Sequence, residues 1–232
     1  MIYRLFLVTC MMVAVNGVAQ QLTLAEKTQS LQSVATGNSM FRSFDERYKG
    51  VKGGVTLFER YVDGQIFFTN GKIVAHGKVN YDAYTNELIV FHNNLDVIVS
   101  ENMVNHFVLK DLHGDTLRFD KLIAPGGKVG YFQAFFGGRQ VRLYKQIYKR
   151  LIEPDYKGAY STGRDYAEFV TEQKFLVLKE GVLTEIKNKK SINEIFPSQR
   201  EATEHFIKAQ KISFKDENDL LKLVGYVDEI SR

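Results

Sequence analysis

The chain has one cysteine and no tryptophan in 232 residues. The cysteine, Cys10, lies inside the first apolar stretch, and losing that stretch as a leader leaves a mature chain without a thiol. Disulfides, thiolate zinc sites and cysteine nucleophiles are thereby excluded from the mature chain. The lack of tryptophan weakens a sugar-binding reading, because sugars stack on aromatic faces, although the twelve tyrosines could substitute. Beyond the leader no run approaches the ~18 apolar residues that a membrane helix needs, so no transmembrane segment is expected. H-E-x-x-H and G-x-S-x-G are both absent, which removes the commonest zinc-protease and serine-hydrolase signatures. The glycine-rich pieces at 50–54 and 126–130 lack the strand-to-helix setting of a phosphate loop. There is no internal repeat, no low-complexity tract and no interdomain linker.

What is present begins with a secretory pattern. Arg4 supplies the positive start, Leu5 to Val15 forms a short apolar core, and Gly17, Val18 and Ala19 give small residues where a signal peptidase cuts. A signal peptide over 1–19 follows, with cleavage after Ala19. Cys10 is a poor lipid anchor, since it sits within the apolar core and follows Thr9. Residues 20–43, rich in Gln, Thr and Ser, read as a flexible approach segment, and 44–232 as a single β-rich domain. Met40, Phe41, Phe44 and Tyr48 are close enough in sequence to dock together on a sheet. Net charge is +4, or +3 once Arg4 is gone, too little for a dedicated nucleic-acid binder. An exported chain without cysteine pairs looks bacterial, and its expected place is the periplasm or cell envelope of a Gram-negative bacterium.

The stretch from Gln65 to Leu122 organises the rest. Ile66 to Phe68 runs into Asn70-Gly71 and resumes at Lys72 to Val74, a two-residue hairpin signal of the type I′ kind. Val79 to Tyr81 is followed by Leu88 to Phe91, then Asn93-Asn94 and Leu95 to Val99. His113-Gly114-Asp115 divides Phe107 to Leu109 from Leu117 to Phe119. Parallel neighbours would need crossovers of about a dozen residues, and none fits, so the sheet is antiparallel. Val55 to Tyr61 reads as an opening strand. Tyr131 to Phe136, Val141 to Ile152, Phe169 to Leu178 and Val182 to Ile186 continue the sheet. The loop from Glu153 to Asp165 is long for a compact domain.

The period then changes. Ser198 and Glu201 are spaced as a capping box ahead of Phe206 and Ile207. A second helix starts near Asp216, with Leu220, Leu221, Leu223, Val224 and Val227 as its apolar stripe. The fold class is α+β, mainly β: an antiparallel meander sheet, open or partly closed, covered by two short C-terminal helices.

Tyr81-Asp82 with Asn86, Glu87, Leu88 and Val90, then Val97, Phe107 and Phe119, a Phe-rich strand, Gly138, a basic Tyr strand and a paired helical tail resemble uncharacterised exported proteins of Bacteroidota. The resemblance covers the chain from about Phe44 onward. It implies an envelope location and a β-rich domain, and it carries no catalytic residues.

Three constellations bear on chemistry. Asp111, His113 and Asp115 alternate as metal ligands would, but the same residues make good turn chemistry, and no metal or cofactor is expected. Glu59, Asp82, Glu87, Glu168 and Glu172 leave open a carboxylate pair, hence a periplasmic hydrolase working in a cleft between sheet and helices. The basic region is the third. Arg139, Arg142, Lys145, Lys149, Arg150, Lys157 and Arg164 face only Glu153 and Asp155, with Tyr144, Tyr148, Tyr156 and Tyr160 interleaved. Alternation on the strand puts Val141, Leu143 and Ile147 on one face and Arg142, Tyr144, Gln146 and Tyr148 on the other. Either this is a solvated strand whose charges prevent edge pairing, or it is a face for an acidic partner. The leading expectation is a non-catalytic exported binding or interaction protein using Arg142, Tyr144, Lys145, Tyr148 and Tyr160. Its partner would be an acidic envelope component or protein. An outer-membrane barrel is a weaker third class, because the chain ends in amphipathic helices.

Overall fold

The computed structural model describes residues 48–71, 73–92, 94–156 and 163–231. Ten antiparallel strands form one open sheet: β1 (Val62–Phe68), β2 (Ile73–Asp82), β3 (Glu87–His92), β4 (Leu95–Val99), β5 (Val104–Lys110), β6 (Thr116–Ile123), β7 (Val129–Gly137), β8 (Val141–Ile152), β9 (Glu168–Lys179) and β10 (Val182–Ile186). Three helices follow among the described residues: α1 (Lys189–Ile195), α2 (Arg200–Gln210) and α3 (Glu217–Ile230). None of these helices is long and apolar enough to cross a membrane. The leader, the approach segment and its Met40, Phe41 and Phe44 lie outside the described residues.

The spatial order is β10-β9-β8-β7-β6-β5-β1-β2-β3-β4. A meander pairs each strand with the next in the chain, and β4 and β5 depart from it. After the edge strand β4 the chain makes a 3-10 turn at Glu101–Met103 and lays β5 against the free side of β1. The turn is tied down by the Thr69 amide, which donates to the Met103 carbonyl at 2.9 Å. The β1–β2 turn also departs from a type I′ geometry. Gly71 takes a left-handed φ of 80° and its amide reaches the Phe68 carbonyl at 3.0 Å, while Asn70 does not share the positive φ.

Residues 55–61 do not form the expected opening strand. They cross the end of β2 irregularly, with one bridge at Thr56 and Asp82, and the Leu57 amide donating to the Tyr81 carbonyl at 2.8 Å. Lys52 meanwhile bridges Glu168 at the start of β9, and the Lys149 amide donates to the Ala83 carbonyl at 2.9 Å. These bonds bring the far end of the β8–β9 ribbon back to the β2–β3 turn, and Tyr48, Tyr84 and Phe169 pack edge-to-face at this junction.

Alternation puts Ile66, Val79, Tyr81, Leu88, Phe107, Phe119 and Tyr131 of β1 to β7 on one face, where the curl of the sheet closes around them. Phe107 stacks on Phe119 at 4.8 Å, Tyr81 packs against both, and Tyr131 packs against Phe107 and Tyr81. On the same face of β8 to β10 the cover is helical. Val141, Leu143, Phe175, Val177 and Ile186 meet Ile192, Phe196 and the Leu220, Leu223, Val224 and Val227 stripe of α3. Burial of each such side chain contributes about 1.5–3 kcal/mol.

The capping chemistry differs from the sequence expectation in one place. Pro197–Gln199 is a 3-10 turn, and α2 begins at Arg200 without a side-chain cap, so Ser198 does not cap it. The capping box stands instead at Asn188 and Ser191 and starts α1, a helix that the period did not announce. Helix α3 starts near Asp216 as expected, and Asp216 is its cap, accepting from the Asp219 amide at 2.9 Å.

Helix α3 is fastened to the sheet by a carboxylate. Asp228 accepts from the amides of Arg139 at 3.0 Å, Gln140 at 2.7 Å and Val141 at 3.0 Å, so the β7–β8 turn wraps the side chain. A Cβ at Gly138 would lie 2.5 Å from the Asp228 carboxyl carbon, which is why this turn needs glycine there.

Candidate functional site

The basic strand is β8, and the structure divides its side chains as alternation requires. Arg142, Tyr144, Gln146, Tyr148 and Arg150 project to the side away from the helices. Lys145 projects the other way. Its ammonium pairs with Glu217, in the first turn of α3, at 2.9 Å and sits 4.9 Å above the Phe135 ring. Lys145 is therefore a helix anchor and does not share a face with Arg142. Tyr160 lies outside the described residues, as do Lys157, Ser161 and Thr162.

Tyr144 was expected as an exposed face residue, and it is only 1% exposed. The register explains this. Opposite Tyr144 on β7 stands Ala134, whose small side chain lets the phenol pass over β7 to β6. There the hydroxyl donates to Asp120 at 3.0 Å. The other oxygen of Asp120 accepts from Arg118 Nε at 2.8 Å. Phe132, Leu176 and Leu183 bury the ring from the sides. Burial raises the Tyr144 hydroxyl above its ordinary value; the Arg142 hydrogen bond opposes this and the Asp120 charge adds to it. The phenol is thus held as a neutral donor.

Around this network lies a hollow of about 430 Å3, lined by Arg118, Asp120, Ala134, Phe135, Arg142 and Tyr144 together with the backbone of Phe136 to Gly138. Two guanidinium groups flank it against one carboxylate, and that carboxylate already accepts two hydrogen bonds. Next to it His106 pairs across the strands with Asp120 and stacks on Phe67 at 4.1 Å. Burial, then the Arg118 charge, hold its imidazole below the usual range, with Asp120 pulling the other way.

Farther along β8 the cations are matched. Arg150 binds Glu172 of β9 through Nε at 2.7 Å and through Nη2 at 2.6 Å, and Tyr148 donates to the second oxygen of Glu172 at 2.7 Å. Burial, then this hydrogen bond, push the Tyr148 hydroxyl up to about 12. The Arg150 and Tyr148 hydrogen bonds lower the Glu172 carboxyl. Lys149, on the helix side of the strand, donates to Thr171 at 2.8 Å. The basic excess is concentrated at the Arg142 end.

The remaining carboxylates have structural duties. Asp82 accepts from the Tyr84 and Thr85 amides, Glu87 accepts from the Thr85 hydroxyl at 2.6 Å, and Glu168 pairs with Arg164 at 3.3 Å. Glu59 is exposed. Asp111 accepts from the amides of His113 and Asp115, both at 2.8 Å, which is the turn arrangement. Among the described residues no cluster of three His, Cys, Asp or Glu could hold a metal.

The sequence pattern pointed to Arg142, Tyr144 and Tyr148 and not to Arg118 and Asp120, which the structure sets beside Tyr144. The alternation of Arg118, Asp120 and Leu122 on β6 was visible, but the register that sets them beside Tyr144 was not. Compared with known families, with curated proteins and with solved structures, the chain matches none.

Proposed function

We propose that this chain is an exported, non-catalytic interaction protein of a bacterial envelope, and that it binds an acidic partner through the Arg118, Arg142 and Tyr144 end of the basic face. The single observation that carries the reading is the convergence of two guanidinium groups from β6 and β8 on one hollow whose only carboxylate is already engaged. A guanidinium fork suits carboxylate, sulfate and phosphate groups, and a neutral phenol beside it adds a donor without adding charge. The N-terminal pattern supports export, and its test is a mature N-terminus at Gln20 in the periplasmic or envelope fraction.

The binding test compares two variants with the same change in net charge. Arg142→Glu alters the proposed face, whereas Lys145→Glu alters the helix side. Wild type and Lys145→Glu should elute from immobilised dextran sulfate at similar salt, and Arg142→Glu at clearly lower salt, because exposed charge contacts are screened. Equal elution of the two variants would mean that only net charge matters, and the face assignment would fall.

A further inference from the structure

Arg142 stands directly opposite Leu178 on β9, and Leu178 in turn stands opposite Leu183 on β10. This row joins two hollows on one side of the sheet. The first is the basic one already described. The second, about 460 Å3, is lined by Lys121, Leu122, Ile123, Val129, Leu178 and Leu183, with Gly181 at its edge. The two share a floor, the cluster of Phe132, Tyr144, Leu176 and Leu183, against which Leu122, Ala134 and Leu178 pack. The rim of the second hollow is apolar where it meets water. Ile123 is 65% exposed, Val129 41%, and the neighbouring Val182 63%. Exposed branched residues gathered around a recess mark a binding surface, whereas singly scattered ones do not.

We infer that the two hollows form one site for a free fatty-acid carboxylate, with its head between Arg118 and Arg142 and its hydrocarbon chain laid over Leu178 toward Leu183 and Leu122. The inference rests on the proposed basic face and adds the chemistry of the ligand. Charge selects the head: two guanidinium groups against one engaged carboxylate favour an anion and disfavour a cation. The second hollow selects the tail. From Arg142 across β9 to β10 is about 10 Å at the usual strand spacing, the reach of a medium-length alkyl chain. Recession selects a free amphiphile over a bilayer surface, because Leu122 and Leu178 are half-buried and Leu183 is buried, so they do not project from a tip.

The test is calorimetric titration of the mature chain with acetate, octanoate, dodecanoate and dodecanol. Each variant is first checked for an unchanged far-UV spectrum and thermal transition. Dodecanoate should bind more tightly than octanoate by roughly three- to fourfold per added methylene. Arg142→Gln should weaken dodecanoate by about tenfold or more and leave dodecanol unchanged, as expected for loss of a charge-assisted contact. Leu178→Gln should remove the dependence on chain length. Ile123→Asp, at an exposed position that tolerates charge, should also weaken dodecanoate while leaving elution from dextran sulfate unchanged. Absence of dodecanoate binding, or binding without chain-length dependence, overturns the amphiphile site; if Arg142→Glu still elutes early from dextran sulfate, the basic face survives that loss. Chain-length dependence that ignores Arg142→Gln overturns the head-group assignment, and elution of Arg142→Glu from dextran sulfate then decides the basic face separately.

Discussion

Phe107 and Leu143 are both fully buried on the same side of one sheet, yet different things cover them. Phe107 is enclosed by other strands, because β1 to β7 curl until Phe119, Tyr81 and Tyr131 close over it. Leu143 is enclosed by helices that the chain adds only after residue 188. The curled half closes on itself with residues contiguous in sequence, and aromatic rings suit that task since each covers a wide area. The flatter half must wait for the C-terminus. Its cover depends on a few fastenings, chiefly Asp228 in the β7–β8 turn and Lys145 on Glu217.

Substitutions should separate the two halves, beginning with the largest effect. Phe107→Ala should cost about 3–5 kcal/mol in urea denaturation, the usual range for a large aromatic lost from a packed core. Leu223→Ala should cost about 2–4 kcal/mol. Amide exchange gives the sharper reading of these two. If the halves differ as described, Leu223→Ala accelerates exchange in β8 to β10 while β1, β2 and β5 stay protected. Uniform acceleration would break the comparison and make the sheet one cooperative unit.

Asp228→Ala should cost about 2 kcal/mol by leaving three turn amides without their acceptor, with exchange accelerated at Arg139, Gln140 and Val141. Gly138→Ala, which drives a Cβ into the same carboxylate, should reproduce that pattern. Lys145→Glu should lower stability by about 1 kcal/mol and leave retention on polyanions unaltered, because its partner is Glu217.

The smallest effect is a pH dependence. The Tyr148 phenol is raised from 10.0 to about 12, so its contribution to stability is complete below pH 10 and is lost as pH rises toward 12. Tyr148→Phe should make the alkaline limb of the stability profile shallower without abolishing it, because burial also raises the phenols of Tyr61, Tyr81, Tyr131 and Tyr144, and an unchanged slope would remove Tyr148 from it. Glu204 has the opposite sign. Held down to about 2 by Lys189, then Arg200, it stabilises above the ordinary carboxylate range and loses that contribution as pH falls toward 2.

Legibility followed the range of the interaction. The bounds of β8 and β10 could be read from apolar alternation, and the start of α3 near Asp216 from its acidic first turn, because each involves residues a few positions apart. The strand expected at 55–61 failed for the complementary reason. The segment meets the end of β2 through one bridge, at Thr56, and nothing local marks that as different from pairing. The capping box was placed on Ser198 when Asn188 holds it, since both spacings are acceptable and only the position of Phe196 in the core decides between them. Among the site residues, Lys145 was grouped with Arg142 although the period of two sets them on opposite faces, and the union of Arg118, Asp120 and Tyr144 required knowing that β7 lies between β6 and β8 with an alanine at the crossing.

By itself the sequence determined that neighbouring strands run in opposite directions and which residues of β8 share a face, because turn length and the two-residue period are local properties. Only the tertiary structure decided that β5 returns to β1, that Tyr144 is buried across β7, and that a basic hollow and an apolar one adjoin at Arg142 and Leu178. Those outcomes depend on the register and curl of the sheet as a whole, which fix contacts between residues tens of positions apart.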